Sequence, residues 1–221
     1  MSDRLIDLSH EIEDGLITYP GLPGPRITDH LSWEASHANY APGVEFRIAR
    51  IDMIANTGTY LDTPAHRHRD GYDLSALPLS AVADVPGIVI DAAEQAVDAN
   101  VFEGHELSRH AVLIRTGWDR HWKTERYGST DHPYLTDAAV QLLVAARPAV
   151  VGIDSVNIDD TSPQGGGRRP AHSELLRAGI PIVEHLCRLD KLGDAAFRFF
   201  AVPVKVVGMA TFPVRAFARI E

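Results

Sequence analysis

The sequence has little sulfur, no long apolar run and fewer basic than acidic residues. A single cysteine, Cys187, among 221 residues excludes an intramolecular disulfide and a cysteine-rich zinc site. Any metal ligands would therefore be His, Asp or Glu. No apolar run approaches the roughly 18 residues that cross a bilayer, so no membrane partner is expected. The N-terminal segment MSDRLIDLSHEIED lacks the apolar core of a signal peptide, which predicts a cytoplasmic location.

Acidic residues outnumber basic ones, with 30 Asp and Glu against 21 Lys and Arg, and the net charge is −9. Such a surface repels phosphate backbones, so nucleic acid is not an expected partner. The hydrophobic fraction of 45% and the charged fraction of 23% are typical of a folded globular protein. The length fits a single domain over residues 1–221, and no repeat or linker-like segment divides the sequence.

Short aliphatic runs outnumber amphipathic ones in this chain, and their order is irregular. This pattern predicts a layered mixed α/β domain more than a regular doubly wound sheet. Thr136 is the predicted N-cap of the first helix. We predict strands at 4–12, 86–92, 110–118, 149–156 and 180–186, helices at 135–148 and 173–179, half-buried strands at 44–56, a loop at 18–28 and closing strands at 198–220.

The stretch NTGTYLDTPAHRHRDG, residues 56–71, places an acid and two histidines after small neutral residues. Residues two apart on a strand share a face, so Asp62, His66 and His68 would point the same way. Pro64 cannot donate a ladder hydrogen bond, so the strand should be an edge or end there. The stretch predicts half of a metal or acid–base site. The alternative is a solvated surface loop.

A second cluster lies in HSELLRAGIPIVE, where Glu184 follows His172 by twelve positions. Glu184 stands inside an aliphatic strand, where a carboxylate is costly unless a cation compensates it. The alternative is that the strand alternates and Glu184 faces water. His185 falls on the other face and is predicted to be structural or exposed.

Other polar and aromatic residues are weaker candidates. Trp118 is predicted either to line a pocket or to belong to an aromatic core. Asp159 and Asp160 are predicted to be solvated. The sequence has no G-x-S-x-G nucleophile elbow, and the glycines at 165–167 lack the context of a phosphate-binding loop. These observations disfavour a serine hydrolase and a nucleotide-binding protein.

These segments together resemble the cyclase family that includes bacterial kynurenine formamidases and isatin hydrolases. Its hallmark is H-x-G-T-H-x-D-x-P-x-H, and residues 56–66 read NTGTYLDTPAH, with Asn56 and Tyr60 at the first two histidine positions. HSELLRAGIPIVEHL is similar to the family pattern H-x-x-L-L-x-x-G-I-P-I-x-E-N-L. The resemblance implies an α/β fold, a mixed layered single domain of the swivelling β/β/α type. It also implies a homo-oligomer, a dimer or a tetramer.

The resemblance further implies a divalent metal, zinc or manganese. By position, Asp62, His172 and Glu184 correspond to one ligand set, and His66 corresponds to the family's acid–base histidine. The other metal position would retain only Asp62, because an Asn amide is a poor zinc ligand and a neutral phenol is poorer still. We therefore predict one metal, with the first position empty or weak.

The leading hypothesis is a hydrolase that cleaves an amide, a cyclic amide or a lactone of a small carbonyl compound. Water activated by the metal or by His66 would attack the carbonyl, and His66 would pass the proton to the leaving group. Tyr60 and Asn56 would orient the substrate, with Tyr19 and Trp118 as pocket walls. Two alternatives stay open, a metal-free cyclase or isomerase with His66 and Tyr60 as its acid–base pair, and a non-catalytic homologue.

Overall fold

The structure of the protein, a computed structural model, describes residues 4–221. Thirteen strands and three α-helices form this part of the chain. The strands are β1 Arg4–Asp7, β2 Arg26–Leu31, β3 Ile48–Asp52, β4 Tyr60–Asp62, β5 Val85–Asp91, β6 Ala96–Val97, β7 Ala111–Arg115, β8 Tyr134–Leu135, β9 Val150–Ile153, β10 Ile182–Glu184, β11 Phe197–Phe200, β12 Thr211–Pro213 and β13 Phe217–Ile220. The helices are α1 Trp33–Ser36, α2 Asp137–Ala146 and α3 Pro170–Arg177.

One sheet of nine strands organises the molecule, in the order β1-β13-β11-β5-β7-β9-β10-β4-β12. Its centre, from β5 to β10, is parallel, and the strands on both flanks are antiparallel. Central parallel strands are covered on both faces, which explains the continuous aliphatic runs of β7 and β9. Residues 111–114 and 150–153 are buried accordingly. The predicted mixed α/β fold is confirmed.

The two faces of this sheet carry separate apolar clusters. Ile182 of β10 packs with Leu143 of α2 and Leu175 of α3 on one face. The adjacent Val183 packs with Leu61 on the opposite face. The α2 helix begins as predicted, since the Thr136 hydroxyl accepts a hydrogen bond from the Ala139 N–H at 3.2 Å. The helix-covered face is the one that receives the polar site.

The segment between β1 and β4 differs from its prediction. The predicted loop at 18–28 ends in the start of β2, which pairs with β3 in a separate two-stranded antiparallel sheet. Every residue of β3 is exposed, including Ile48 and Ile51. Its alternating sequence predicted one buried face, and that part of the prediction is wrong. Within residues 4–221 no element packs over this hairpin as the helices pack over the large sheet.

The motif strand is shorter than predicted. The β4 strand stops at Asp62, and Pro64–His66 form a turn of 3₁₀ helix. Pro64 therefore marks the end of a strand, while β4 itself lies between β10 and β12 and is not an edge. His68 does not share a face with Asp62, because the chain is no longer extended there. Its ring contacts α3 instead, with Nε2 2.9 Å from the Ser173 carbonyl oxygen.

Within residues 4–221, no helix has the combination of length and apolarity that spanning a membrane requires.

Candidate active site

Strand register brings the distant polar residues of the two sequence clusters together. Tyr60 pairs with Glu184 across β4 and β10, and Asp62 pairs with Thr211 across β4 and β12. Paired residues and residues two apart on a strand share a face of the sheet. Ile182, which pairs with Asp62, packs under the helices. All four polar side chains therefore project toward the helix-covered face.

The α3 helix supplies His172, and Asp159 fixes its orientation. The Asp159 carboxylate accepts hydrogen bonds from the Ala171 N–H at 2.6 Å and the His172 N–H at 3.1 Å, at the start of the helix. The same carboxylate lies 2.6 Å from His172 Nδ1. Because Nδ1–H donates to Asp159, the neutral ring keeps its lone pair on Nε2.

His172 Nε2 points between the two buried strand carboxylates. It lies 3.8 Å from Asp62 Oδ2 and 3.8 Å from Glu184 Oε1. All three residues are buried. The three predicted metal ligands are thus brought to one place by the fold. Donor atoms of Asp62, His66 and His172 also form a compact group, in which all lie within 4.8 Å of one another.

His66 approaches the same place from the solvent side, with 34% of its side chain exposed. Its Nδ1 lies 2.9 Å from Thr211 Oγ1 and 3.5 Å from Asp62 Oδ1. The Thr211 hydroxyl donates to Asp62 Oδ1, so its oxygen is an acceptor toward His66 Nδ1–H. The neutral ring consequently carries its lone pair on Nε2, and this nitrogen is the one that can accept a proton.

Three carboxylates, Asp62, Asp159 and Glu184, surround the single buried imidazole of His172. Burial alone would lower the pKa of His172, but these carboxylates hold that pKa well above its usual value. Burial raises the pKa of Glu184 to about 7, against the lowering effect of the charge on His172. Excess negative charge therefore remains in the site when every acid is ionised, and it favours a bound cation.

The donor set fits a divalent ion. Asp62 Oδ2 is buried and has no hydrogen-bond partner within residues 4–221, which is costly for a carboxylate oxygen. It faces His172 Nε2, which becomes a ligand when it loses its proton. The pairing of that ring with Asp159 is the usual support of a metal-ligating histidine. Oxygen and imidazole donors without thiolate suit zinc and manganese.

Tyr60 is not positioned as the acid–base partner of His66. Its hydroxyl donates to Glu184 Oε2 at 2.6 Å, and the residue is 2% exposed. Burial and the charges of Glu184 and Asp62 raise its pKa well above the usual value. The phenol is therefore a neutral hydrogen-bond donor to Glu184, and the structure does not pair it with His66.

The three predicted substrate contacts differ in exposure. Asn56 and Tyr19 are half-buried beside the site, and the charge of Glu184 contributes to the raised pKa of Tyr19 after burial. Trp118 is 5% exposed and packs against Tyr127, whose carbonyl accepts its indole N–H at 2.9 Å. The surroundings of Trp118 therefore match the second of its two predicted roles, a place in an aromatic core.

Two residues of the site were not predicted. Asp159 was predicted to be solvated, yet it is fully buried and holds His172. An acid after a buried strand and before a helix start was the available signal, but the ten residues between Asp159 and α3 hid it. Thr211 was not singled out, and its pairing with Asp62 follows only from strand register.

Comparison with known proteins gives a consistent result over most of the chain. A sequence model of the family described as Putative cyclase matches residues 6–160. The kynurenine formamidase of Polaromonas naphthalenivorans (strain CJ2) is 24% identical over 218 residues, covering 98% of this chain and 91% of that protein. The kynurenine formamidase of Geobacillus thermodenitrificans (strain NG80-2) is 27% identical over 222 residues, covering 99% of both chains.

Solved structures with the same fold include isatin hydrolase A from Labrenzia aggregata, with a TM-score of 0.83 and 22% identity. That match covers 99% of this chain and 94% of the other. A structure described as a potential metal-dependent hydrolase with cyclase activity has a TM-score of 0.80 and 22% identity, over 100% of this chain and 99% of that one. At these identities the likeness concerns the fold.

Proposed function

Since this chain belongs to the Putative cyclase family, we propose that it is a hydrolase that cleaves the C–N bond of an amide, either open or cyclic, in a small molecule. The names of its relatives, kynurenine formamidase and isatin hydrolase, support this class of substrate. A lactone, with oxygen in place of the amide nitrogen, belongs to the same range of carbonyl compounds.

One observation carries the proposal. A buried carboxylate oxygen, Asp62 Oδ2, has no hydrogen-bond partner in the described chain and faces a histidine nitrogen held ready by another acid. Beside it stands His66, a second histidine that solvent and substrate can reach. A merely structural polar cluster would pair its buried oxygens internally.

Asp62 Oδ2 and His172 Nε2 are the proposed ligands of one divalent ion, zinc or manganese. Both atoms are buried, and Asp62 Oδ2 has no hydrogen-bond partner in the described chain. His172 Nε2 would bind an ion after losing the proton that the three carboxylates favour there. Glu184 Oε1 lies 3.8 Å from the same imidazole nitrogen but already accepts the Ile158 N–H at 2.7 Å. It is the proposed third ligand through its remaining lone pair. The ion would polarise the substrate carbonyl and acidify a bound water.

The proton chemistry is assigned to His66. Its Nδ1–H is committed to Thr211, so Nε2 is the atom that takes the proton from the attacking water. The imidazolium that results is stabilised by Asp62, 3.5 Å away, and by the Thr211 oxygen. It then delivers the proton to the leaving nitrogen, which returns the ring to its starting state. The half-buried Tyr19 and Asn56 are the proposed contacts of the substrate.

The test combines activity with metal content. Protein purified without a tag and loaded with zinc or manganese is assayed on N-formylkynurenine, isatin and a simple aryl lactone. We expect hydrolysis of one of these, loss of activity on chelation, and recovery with metal. His66→Gln should reduce kcat by roughly 10² to 10⁴-fold, as for a general acid–base residue. It should retain the metal, whereas Glu184→Gln should weaken metal binding.

Two results would count against this proposal. Full activity after removal of all metal would favour the metal-free cyclase or isomerase. Metal-loaded protein with no turnover of any amide or lactone, and no effect of His66→Gln on any measured property, would favour a non-catalytic homologue.

A further inference from the structure

Glu184 is compensated by hydrogen bonds through both of its oxygens. Oε1 accepts the Ile158 N–H at 2.7 Å and is the oxygen nearest to His172. Oε2 accepts the Tyr60 hydroxyl at 2.6 Å. A buried carboxylate needs either a cation or such donors. At Oε2 the structure supplies a neutral phenol where a positive charge would otherwise be required.

The Tyr60 hydroxyl is itself held by two further buried groups. Its proton is given to Glu184, so its oxygen accepts from His185 Nε2–H, 3.4 Å away. His185 is then an acceptor at Nδ1, where the Tyr127 hydroxyl lies at 2.8 Å. Each polar atom in this chain of groups has one defined role. We call Tyr127, His185 and Tyr60, in that order, the phenol–imidazole chain.

The surroundings keep this chain dry and rigid. Tyr60, Tyr127 and His185 are 2%, 3% and 0% exposed. The Trp122 ring packs edge-on against the His185 ring, with centroids 5.9 Å apart. His185 also adopts a left-handed backbone with φ of +57°, a conformation that His and Asn tolerate better than most residues. Its carbonyl accepts the Thr59 hydroxyl at 2.5 Å, which fixes that backbone.

We propose that the phenol–imidazole chain takes the place of a cation beside Glu184 Oε2, so that the site binds one divalent ion, on the Asp62 Oδ2 side, and excludes a second. The contrast between the two carboxylates supports this assignment. Asp62 Oδ2 is unpartnered in the described chain, whereas Glu184 Oε2 is capped by a hydroxyl whose own lone pair is used. This inference concerns ion stoichiometry, and it rests on the metal site of the proposed function but not on the hydrolase activity.

The first test counts ions in the wild-type protein. Full-length protein is dialysed against zinc and, separately, manganese at saturating concentration, and metal per chain is measured by elemental analysis. One specifically bound ion per chain supports the inference. Two ions overturn the inference alone and leave the proposed metal hydrolase in place. A count of zero overturns the metal in the proposed function and this inference with it, so the two failures are distinguishable.

The second test removes the chain and supplies ligands in its place. The triple variant Asn56→His, Tyr60→His and His185→Asn puts two imidazoles next to Asp62 and deletes the blocking ring. We expect it to bind one ion more than wild type. The matched control is Asn56→His alone, which adds one imidazole but leaves the phenol–imidazole chain intact, and it should bind as many ions as wild type. A folded triple variant that gains no ion overturns the inference.

The third test measures the protonation of His185 in the wild-type protein. Nitrogen-15 NMR of the histidine rings reports which nitrogen carries the proton. We expect His185 to be neutral and protonated on Nε2, and its signals should stay in place when metal saturates the site. A His185 ring protonated on Nδ1, or one whose nitrogen signals move as a ligand's would on metal addition, overturns the inference. Assignment uses the His185→Asn spectrum.

Discussion

The two sides of the candidate site handle buried negative charge in opposite ways. On the Asp62 side, a carboxylate oxygen is left unpartnered in the described chain and faces Nε2 of His172. On the Glu184 side, each oxygen accepts a hydrogen bond, one from a phenol and one from a backbone N–H. Both carboxylates are almost fully buried, with exposures of 0% and 1%. Burial alone therefore does not mark a reactive carboxylate, whereas an unused lone pair does.

The difference follows from which neighbours each acid meets. Asp62 is flanked by Thr211 and by histidines on a short turn and a helix start, and these elements leave an opening toward solvent at His66. Glu184 is backed by the aromatic cluster that holds Tyr127 and Trp122. The first arrangement is open to an ion, water and substrate. The second is closed, because buried aromatic side chains cover it.

The largest expected effect is that of Asp62→Asn, which would break the comparison by removing the negative charge from the Asp62 side. The amide keeps an acceptor for Thr211 but removes the buried carboxylate oxygen that has no hydrogen-bond partner in the described chain. We expect loss of measurable metal binding and a fall in kcat/KM of at least roughly 10³-fold, the effect of losing a preorganised charge in a buried site. Elemental analysis and steady-state kinetics measure both.

The exposed Asp70→Asn is the control for Asp62→Asn, since it makes the same chemical change in the turn that follows the motif. If Asp62→Asn bound metal as tightly as Asp70→Asn, the open side of the site would have been assigned to the wrong carboxylate.

A smaller loss of metal affinity is expected for Asp159→Asn. This variant sharpens the comparison by testing whether Asp159 orients His172 on the Asp62 side. The change weakens the hold on His172 Nδ1 and removes the charge that keeps Nε2 basic. We expect metal affinity to fall by about 10 to 100-fold, as for other supporting residues of ligating histidines. Isothermal titration with zinc measures the affinity.

The neighbouring Asp160→Asn provides the matched control for Asp159→Asn. Asp160 is half-buried and accepts the Ser162 N–H at 2.8 Å, without contact to His172. Equal loss of affinity in both variants would show that the local chain, and not the Asp159 carboxylate, sets the metal affinity.

The smallest effect concerns acid stability and tests the closed side. Burial, with the charges of His10 and His132, lowers the pKa of His185 to about 3. The folded protein keeps this ring neutral, while the unfolded chain protonates it near pH 6.5. Unfolding thus takes up a proton between these values, and the free energy of unfolding falls with falling pH by up to about 1.4 kcal/mol per pH unit. His185→Asn should remove this contribution.

Urea unfolding of metal-free protein between pH 4 and 7 measures that slope. The control is His30→Asn on the exposed β2 strand, which should leave the slope as in wild type. An unchanged slope in His185→Asn would mean that the ring is not held neutral in the folded state, which would weaken the account of the closed side.

Much of the site was readable from the sequence because its residues belong to strong local patterns. Glu184 inside an aliphatic strand and Asp62, two residues before a proline, were both predicted candidates, and the structure brings both to the candidate site. The helix at 137–146 and the central strands were also predicted from apolar spacing and capping. The hairpin of β2 and β3 was less well predicted. Alternating apolar and polar residues indicate a strand with two different faces, but they do not show whether another element covers the apolar face.

The sequence by itself determined the mixed α/β fold, the family resemblance and the presence of acids and histidines in two separate segments. Only the tertiary structure decided which of them meet and which lone pairs stay free. Strand register placed Thr211 on Asp62 and Tyr60 on Glu184, and a helix start brought Asp159 to His172. The physical reason is that apolar spacing and turn residues act over a few positions, whereas hydrogen-bond partners are chosen by packing between segments far apart in the chain.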